Sequence, residues 1–74
     1  MNKQTSAYPY TLVFTKTFNT GILKGKTYHD SLPVVSVASA KKWLEGVRAN
    51  CQEYQVSDVT VTNVETMKVT RLAS

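Results

Sequence analysis

The sequence predicts an α+β fold, in which one helix packs on one face of a small antiparallel sheet of three or four strands. Two observations predict this class. A single stretch has helical periodicity, and the apolar residues elsewhere alternate with polar ones, as in half-buried strands. At 74 residues the chain is long enough for one domain. The expected order is β-β-α-β, with a further β-strand if the chain turns at Asn63.

The helix is predicted over residues 36–52. One apolar stripe with helical spacing runs along it, formed by Ala40, Trp43, Leu44, Val47 and Cys51. Ser36 is a suitable N-cap, because its hydroxyl can accept a hydrogen bond from an early backbone N–H. We expect Trp43 to be the main contact of the helix with the sheet.

The first two strands are predicted over residues 8–18 and 26–35, as an antiparallel hairpin. Lys16 interrupts the apolar face of the first strand near its end. Either that strand extends beyond the helix, or a bulge shifts its register. Pro33 cannot donate to a neighbouring strand, so it indicates an edge position or the end of the second strand.

The third strand is predicted over residues 56–62, and the alternation changes phase after Asn63. A bulge inside one long strand explains this, and so does a turn into a fourth strand over residues 65–72. We prefer the bulge, because no glycine accompanies Asn63. The predicted core consists of Leu12, Phe14, Phe18, Leu32, Ala40, Trp43, Leu44, Val47, Val59 and Val61.

Several features bear on location. Residues 1–7 are predicted to be a disordered lead-in to one domain over residues 8–72. The first residues are polar and lack a following apolar stretch, so no signal peptide is expected. No apolar run approaches the roughly 20 residues that span a bilayer. The lone Cys51 excludes a disulfide within the chain and suits a reducing compartment. These features predict a cytoplasmic protein without a membrane partner.

The sequence contains no combination of residues that is typical of a catalytic site. Neighbouring strand residues point to opposite faces, so His29 and Asp30 are not expected to act as a pair. Cys51 lies on the apolar stripe, and one cysteine with one histidine cannot complete a four-ligand zinc site. The glycines fit neither a P-loop nor a dinucleotide-binding motif. We therefore expect no enzyme, no metal and no cofactor.

The net charge of +4 is concentrated near the start of the chain. After residue 29, basic and acidic residues balance, so the excess comes from Lys3, Lys16, Lys24 and Lys26. This distribution could steer the protein toward an anionic partner, or it could be ordinary solubilising lysine on an exposed hairpin.

The hairpin tip is the predicted contact surface. Ile22 and Leu23 lie between Gly21 and Gly25, and they either fold back over Phe18, which we prefer, or form an exposed apolar tip. The predicted binding residues are Lys16, Ile22, Leu23, Lys24 and Lys26. The expected partner is a protein, a second copy in a homodimer included. The alternative is nucleic acid, bound through the same lysines.

Part of the sequence resembles a known group of proteins. The pattern is YTLVFTKTF from Tyr10, GILKGKT from Gly21, Asp30-Ser31-Leu32, and then Ala40 and Trp43. Over residues 10–47 it resembles small accessory proteins of tailed bacteriophages. The resemblance implies expression in a bacterial cytoplasm and binding to a host protein, such as a defence protein, that is thereby inhibited. It carries no catalytic or binding residue that can be transferred.

Overall fold

The structure is a computed structural model that describes residues 8–73, so the predicted lead-in over residues 1–7 lies outside it. The order is β-β-α-β-β, and the strands form one antiparallel sheet in the order β2-β1-β3-β4. The predicted α+β class is therefore confirmed, with four strands. The elements are β1 (Tyr10–Phe18), β2 (Thr27–Val34), α1 (Val37–Asn50), β3 (Tyr54–Asn63) and β4 (Val69–Ala73).

The helix α1 begins at its predicted cap. The Ser36 hydroxyl accepts a hydrogen bond from the Ser39 N–H at 3.1 Å. Ala40 and Leu44 are the buried helix residues. Trp43 is half-buried, and its ring centroid lies 4.6 Å from that of Phe14. Trp43 therefore contacts the sheet through Phe14 and packs at the margin of the core, beside the buried Ala40 and Leu44.

The contact between Trp43 and Phe14 identifies the side of the sheet that the helix covers. Residues of β1 alternate between this helix side and an open side. The buried core lies on the helix side and consists of Leu12, Phe14, Ala40, Leu44, Val59 and Val61. Leu32 and Trp43 pack against this core from its margin. The two other predicted core residues, Phe18 and Val47, are half-buried and lie outside it.

A bulge lies in β3, at a position where we did not predict one. Val13 pairs with Thr60 but Thr15 pairs with Ser57, so β3 has one extra residue at this point. Asp58, with a φ of 51°, occupies the left-handed region there. The bulge brings Val56 to the same side as Val59 and Val61. The alternation of β1 itself continues unbroken, so Lys16 lies on the helix side of the sheet with Leu12 and Phe14.

The preferred interpretation of Asn63 is wrong, because β3 ends there and a turn leads into β4. The Asn63 side-chain oxygen accepts hydrogen bonds from the N–H groups of Glu65 at 2.9 Å and Thr66 at 3.1 Å. Its backbone carbonyl accepts from the Met67 N–H at 2.7 Å, and Met67 has a φ of 62°. The asparagine side chain and a left-handed Met67 thus make the turn without a glycine.

Candidate functional site

The hairpin tip, residues 19–26, connects β1 to β2 and has a defined backbone. Gly21 and Gly25 have φ values of 77° and 85°, which favour glycine because it lacks a Cβ. The Gly25 N–H donates to the Phe18 carbonyl at 2.8 Å, and the Lys24 N–H donates to the Gly21 carbonyl at 3.1 Å. The tip is therefore a hydrogen-bonded turn, with a short 3-10 segment at its centre.

The tip presents apolar side chains to solvent. Ile22 is 97% exposed, so the preferred expectation that it folds back over Phe18 is wrong. Leu23 is 37% exposed and lines a shallow open cleft together with Phe18. Lys24 and Lys26 are both exposed beside them. Four of the five predicted binding residues thus lie together on one protruding turn.

The base of the tip is tied to a distant part of the chain. The Asn19 N–H donates to the Glu53 carbonyl at 2.8 Å. Glu53 belongs to the connection between α1 and β3, and it also lines the cleft beside Ile22. This hydrogen bond fixes the direction in which the tip leaves the sheet.

Lys16, the fifth predicted residue, does not belong to this surface. Its Nζ lies 3.2 Å from Asp30 Oδ2 on the helix side of the sheet, and its side chain is only 22% exposed. The ammonium also lies 5.3 Å from the Tyr54 ring centroid and 5.7 Å from that of Phe18. Lys16 is therefore engaged in contacts within the chain.

The carboxyl group that Lys16 contacts is held ionised by two neighbours. The pKa of Asp30 is lowered chiefly by the hydrogen bond from the Ser31 N–H, which is 2.8 Å long, and then by Lys16. At neutral pH this carboxylate therefore offsets the charge of Lys16. The positive charge left at this end of the hairpin lies on the tip lysines.

An aromatic cluster that the sequence analysis missed supports the tip. The Phe18 ring makes edge contacts with Tyr28 at 5.8 Å and Tyr54 at 5.5 Å between centroids. Burial is the first cause that raises the pKa of Tyr54, followed by the nearby Cys51. The signal available in the sequence was that positions 18 and 28 follow the apolar alternation of their strands.

The candidate catalytic residues stay apart. His29 lies on the open side, where its Nδ1 is 3.1 Å from Thr15 Oγ1. The Asp30 carboxylate points to the other side, toward Lys16. Cys51 is half-buried at the end of the helix. Between residues 8 and 73, no group of three or more His, Cys, Asp or Glu side chains is placed to hold a metal ion.

The open side of the sheet is rich in threonine. It carries Thr11, Val13, Thr15, Thr17, Thr60 and Thr62. In the described part of the chain, no helix combines the length and the apolar character that crossing a bilayer requires.

Comparison with known proteins gave no match: neither a protein-family model, nor a curated protein, nor a solved structure is detectably similar to this chain.

Proposed function

We propose that this chain is a small non-enzymatic binding protein, and that its contact surface is formed by Ile22, Leu23, Lys24 and Lys26 of the hairpin tip. The observation that carries the proposal is the 97% exposure of Ile22 on a turn that backbone hydrogen bonds hold in place. Burying one such side chain against a partner contributes about 1.5–3 kcal/mol. Because the turn is already ordered, little of this is lost to ordering the loop.

The proposed partner is another protein with an apolar pocket and acidic residues at its rim. Ile22 and Leu23 would fill the pocket, while Lys24 and Lys26 would face the carboxylates. Such charge complementarity raises the association rate and excludes partners of the wrong sign. From the resemblance to accessory proteins of tailed bacteriophages, we further propose that the partner is a host protein of the bacterial cytoplasm, whose activity the chain modulates or inhibits.

Nucleic acid is the second candidate partner, and the exposure of the tip lysines favours it. In the part of the chain that the structure describes, Lys16 forms an ion pair with Asp30, whereas Lys24 and Lys26 remain available to bind phosphates. Lysine acts as a point charge and lacks the bidentate geometry with which arginine reads bases. Such binding would therefore show little sequence preference.

The test compares the tip with a matched exposed aliphatic residue elsewhere. We expect Ile22→Asp to weaken capture of the protein partner from bacterial lysate roughly tenfold or more, because the apolar contact is lost. Val35, which is 50% exposed and lies away from the tip, provides the control. Val35→Asp should leave capture unchanged, and moderate salt should weaken capture only slightly.

The nucleic-acid alternative has its own arm in the same experiment. Purified, nuclease-treated protein is titrated with labelled single- and double-stranded DNA and RNA at low and near-physiological salt. If nucleic acid is the partner, affinity falls steeply with salt, and Lys24→Glu with Lys26→Glu abolishes binding to every sequence while Ile22→Asp has little effect. Protein capture that survives Ile22→Asp would overturn the proposed function.

A further inference from the structure

The two edges of the sheet differ in how well they resist pairing with another strand. Natural proteins protect sheet edges with proline and with charged side chains. The edge strand β2 contains Pro33 and Asp30, whereas β4 (Val69–Ala73) contains no proline, and Arg71 is its one charged residue. Among the described residues, nothing pairs with the outer side of β4. The edge at β4 is therefore the less protected one.

The hydrogen bonds at the turn show which backbone groups β4 directs outward. The Asn63 N–H donates to the Lys68 carbonyl at 2.9 Å, so these two residues direct their backbone groups toward each other. Along an antiparallel pair, the backbone N–H and C=O groups of successive residues point alternately toward the partner strand and away from it. Those of Thr70, two residues after Lys68, therefore also point toward β3. Val69 and Arg71 must then direct their N–H and C=O groups away from the sheet.

We propose that β4 pairs antiparallel with β4 of a second copy of this chain, with Val69 of each copy opposite Arg71 of the other. Thr70 then lies on the two-fold axis, and about four backbone hydrogen bonds form, two for each Val69–Arg71 pair. Val69 and Arg71 lie on the same side of the sheet, so this register places both helices on one side of a continuous sheet.

A register centred on Arg71, in which Arg71 of one copy pairs with Arg71 of the other, is less favourable. It would place the two guanidinium groups directly opposite each other, and like charges in that position destabilise a strand pair. In the proposed register Arg71 faces an aliphatic side chain instead.

Exposed apolar side chains accompany this edge. Met67 and Val69 are 69% and 58% exposed, and they lie in the turn just before β4 and at its start. Covering them adds apolar burial to the backbone hydrogen bonds. The register shift at the far end of β4 ends the regular ladder there, so the strand pair stays short.

The charge of the chain gives this dimer a characteristic salt dependence. Each copy carries a net charge of +4, so salt should strengthen the association by screening the repulsion between copies. Binding of nucleic acid or of an acidic protein at the tip weakens with salt. The proposal does not depend on the proposed function of the tip, and the two salt responses distinguish their outcomes.

The first test uses the unmodified chain. Sedimentation velocity at increasing concentration should show a monomer–dimer equilibrium. Amide hydrogen exchange should show Val69 and Arg71 gaining protection as concentration rises, while Thr70 is protected throughout by its bond to β3. A monomer at every concentration would overturn the proposal. So would protection of Val69 and Arg71 that does not depend on concentration, because another segment of the same chain would then cover the edge.

A charge swap at Val69 tests the register. Val69→Glu and Val69→Lys both remove the valine side chain, so the comparison between them isolates the charge. Val69→Glu should dimerise at least tenfold more tightly than Val69→Lys, because its carboxylate lies opposite Arg71 of the second copy, whereas the lysine places two cations there. Ser31→Lys adds the same charge to the other edge strand and should leave the dimer unchanged. Equal effects of Val69→Glu and Val69→Lys, or loss of the dimer in Ser31→Lys, would contradict the proposed pairing.

Discussion

The ion pair between Lys16 and Asp30, whose charged atoms lie 3.2 Å apart, leads to a prediction about how the stability of the fold depends on pH. The pKa of Asp30 is lowered from 3.8 in the folded protein, first by the Ser31 N–H and then by Lys16. A carboxyl group with a lowered folded-state pKa stabilises the fold at pH values above 3.8, and this contribution is lost as the pH falls through the lowered value. Lys16→Met should therefore raise the pKa of Asp30 only part of the way, because the Ser31 N–H remains.

The measurement is an NMR titration of the Asp30 carboxyl carbon. Lys26 lies on the exposed tip, so Lys26→Met should leave this pKa where it is in the unmodified chain. An Asp30 pKa that does not rise in Lys16→Met would show that the ion pair does not form in solution.

Lys16 also shows what the sequence could predict about single residues. The alternation of β1 already placed Lys16 on the same side as Leu12 and Phe14, and the structure confirms this. Its partner Asp30 lies on β2, diagonal to it, and a diagonal pair can be named only when the register between the strands is known. Counting charges along the chain could not distinguish this paired lysine from the exposed Lys24 and Lys26.

At the level of elements, the bulge in β3 makes a prediction about backbone conformation. Asp58 has a φ of 51°, and glycine adopts such a value without a steric penalty, whereas a β-branched residue is strained there. We expect Asp58→Val to lower the free energy of unfolding by about 1–2 kcal/mol, and Asp58→Gly to change it by less than about 0.5 kcal/mol. Urea denaturation measures both values.

Gln55, which is exposed in the same strand and has a negative φ, is the matched control for Asp58. At Gln55 the valine variant should be more stable than the glycine variant, by up to about 1 kcal/mol, because valine favours a strand and glycine weakens one. If glycine and valine had the same order of stability at both positions, the bulge would not be at Asp58.

The bulge and the turn explain why the second half of the sheet was harder to predict than the first. Val56 and Val59 are three residues apart, a spacing that puts them on opposite sides of a regular strand, and this was the available signal for the bulge. The turn at Asn63 depends on a side-chain oxygen and on a left-handed Met67. Glycine is the usual residue in such turns, so its absence beside Asn63 favours a bulge in a longer strand.

For the whole molecule, the fold class could be predicted because it depends on one strongly periodic helix and on alternating strands. The position of the tip could be predicted too, since two glycines bracket it. The exposure of Ile22 could not, because an Ile-Leu pair beside Phe18 fits a small apolar cluster equally well. The direction of the tip is fixed by the long-range hydrogen bond from Asn19 to Glu53, which no local pattern encodes.

The last prediction follows from the uneven distribution of buried residues over the sheet. The buried residues lie under the helix, whereas the hairpin end is held by edge contacts between aromatic rings. Trp43→Ala should cost about 3 kcal/mol, the low end of the usual range for a large aromatic residue, because Trp43 is only half-buried. A domain of this size has about 3–5 kcal/mol in total, so this variant should be largely unfolded.

Tyr28→Ala is the matched aromatic control. Tyr28 is 42% exposed, and its ring contact with Phe18 should contribute no more than about 1.5 kcal/mol. Circular dichroism and urea denaturation should therefore find Tyr28→Ala folded, with a modest loss of stability. If Trp43→Ala unfolded no more readily than Tyr28→Ala, the stability of the domain would not depend on the packing of α1 against β1. The tip could then not be regarded as a projection from a core that the helix stabilises.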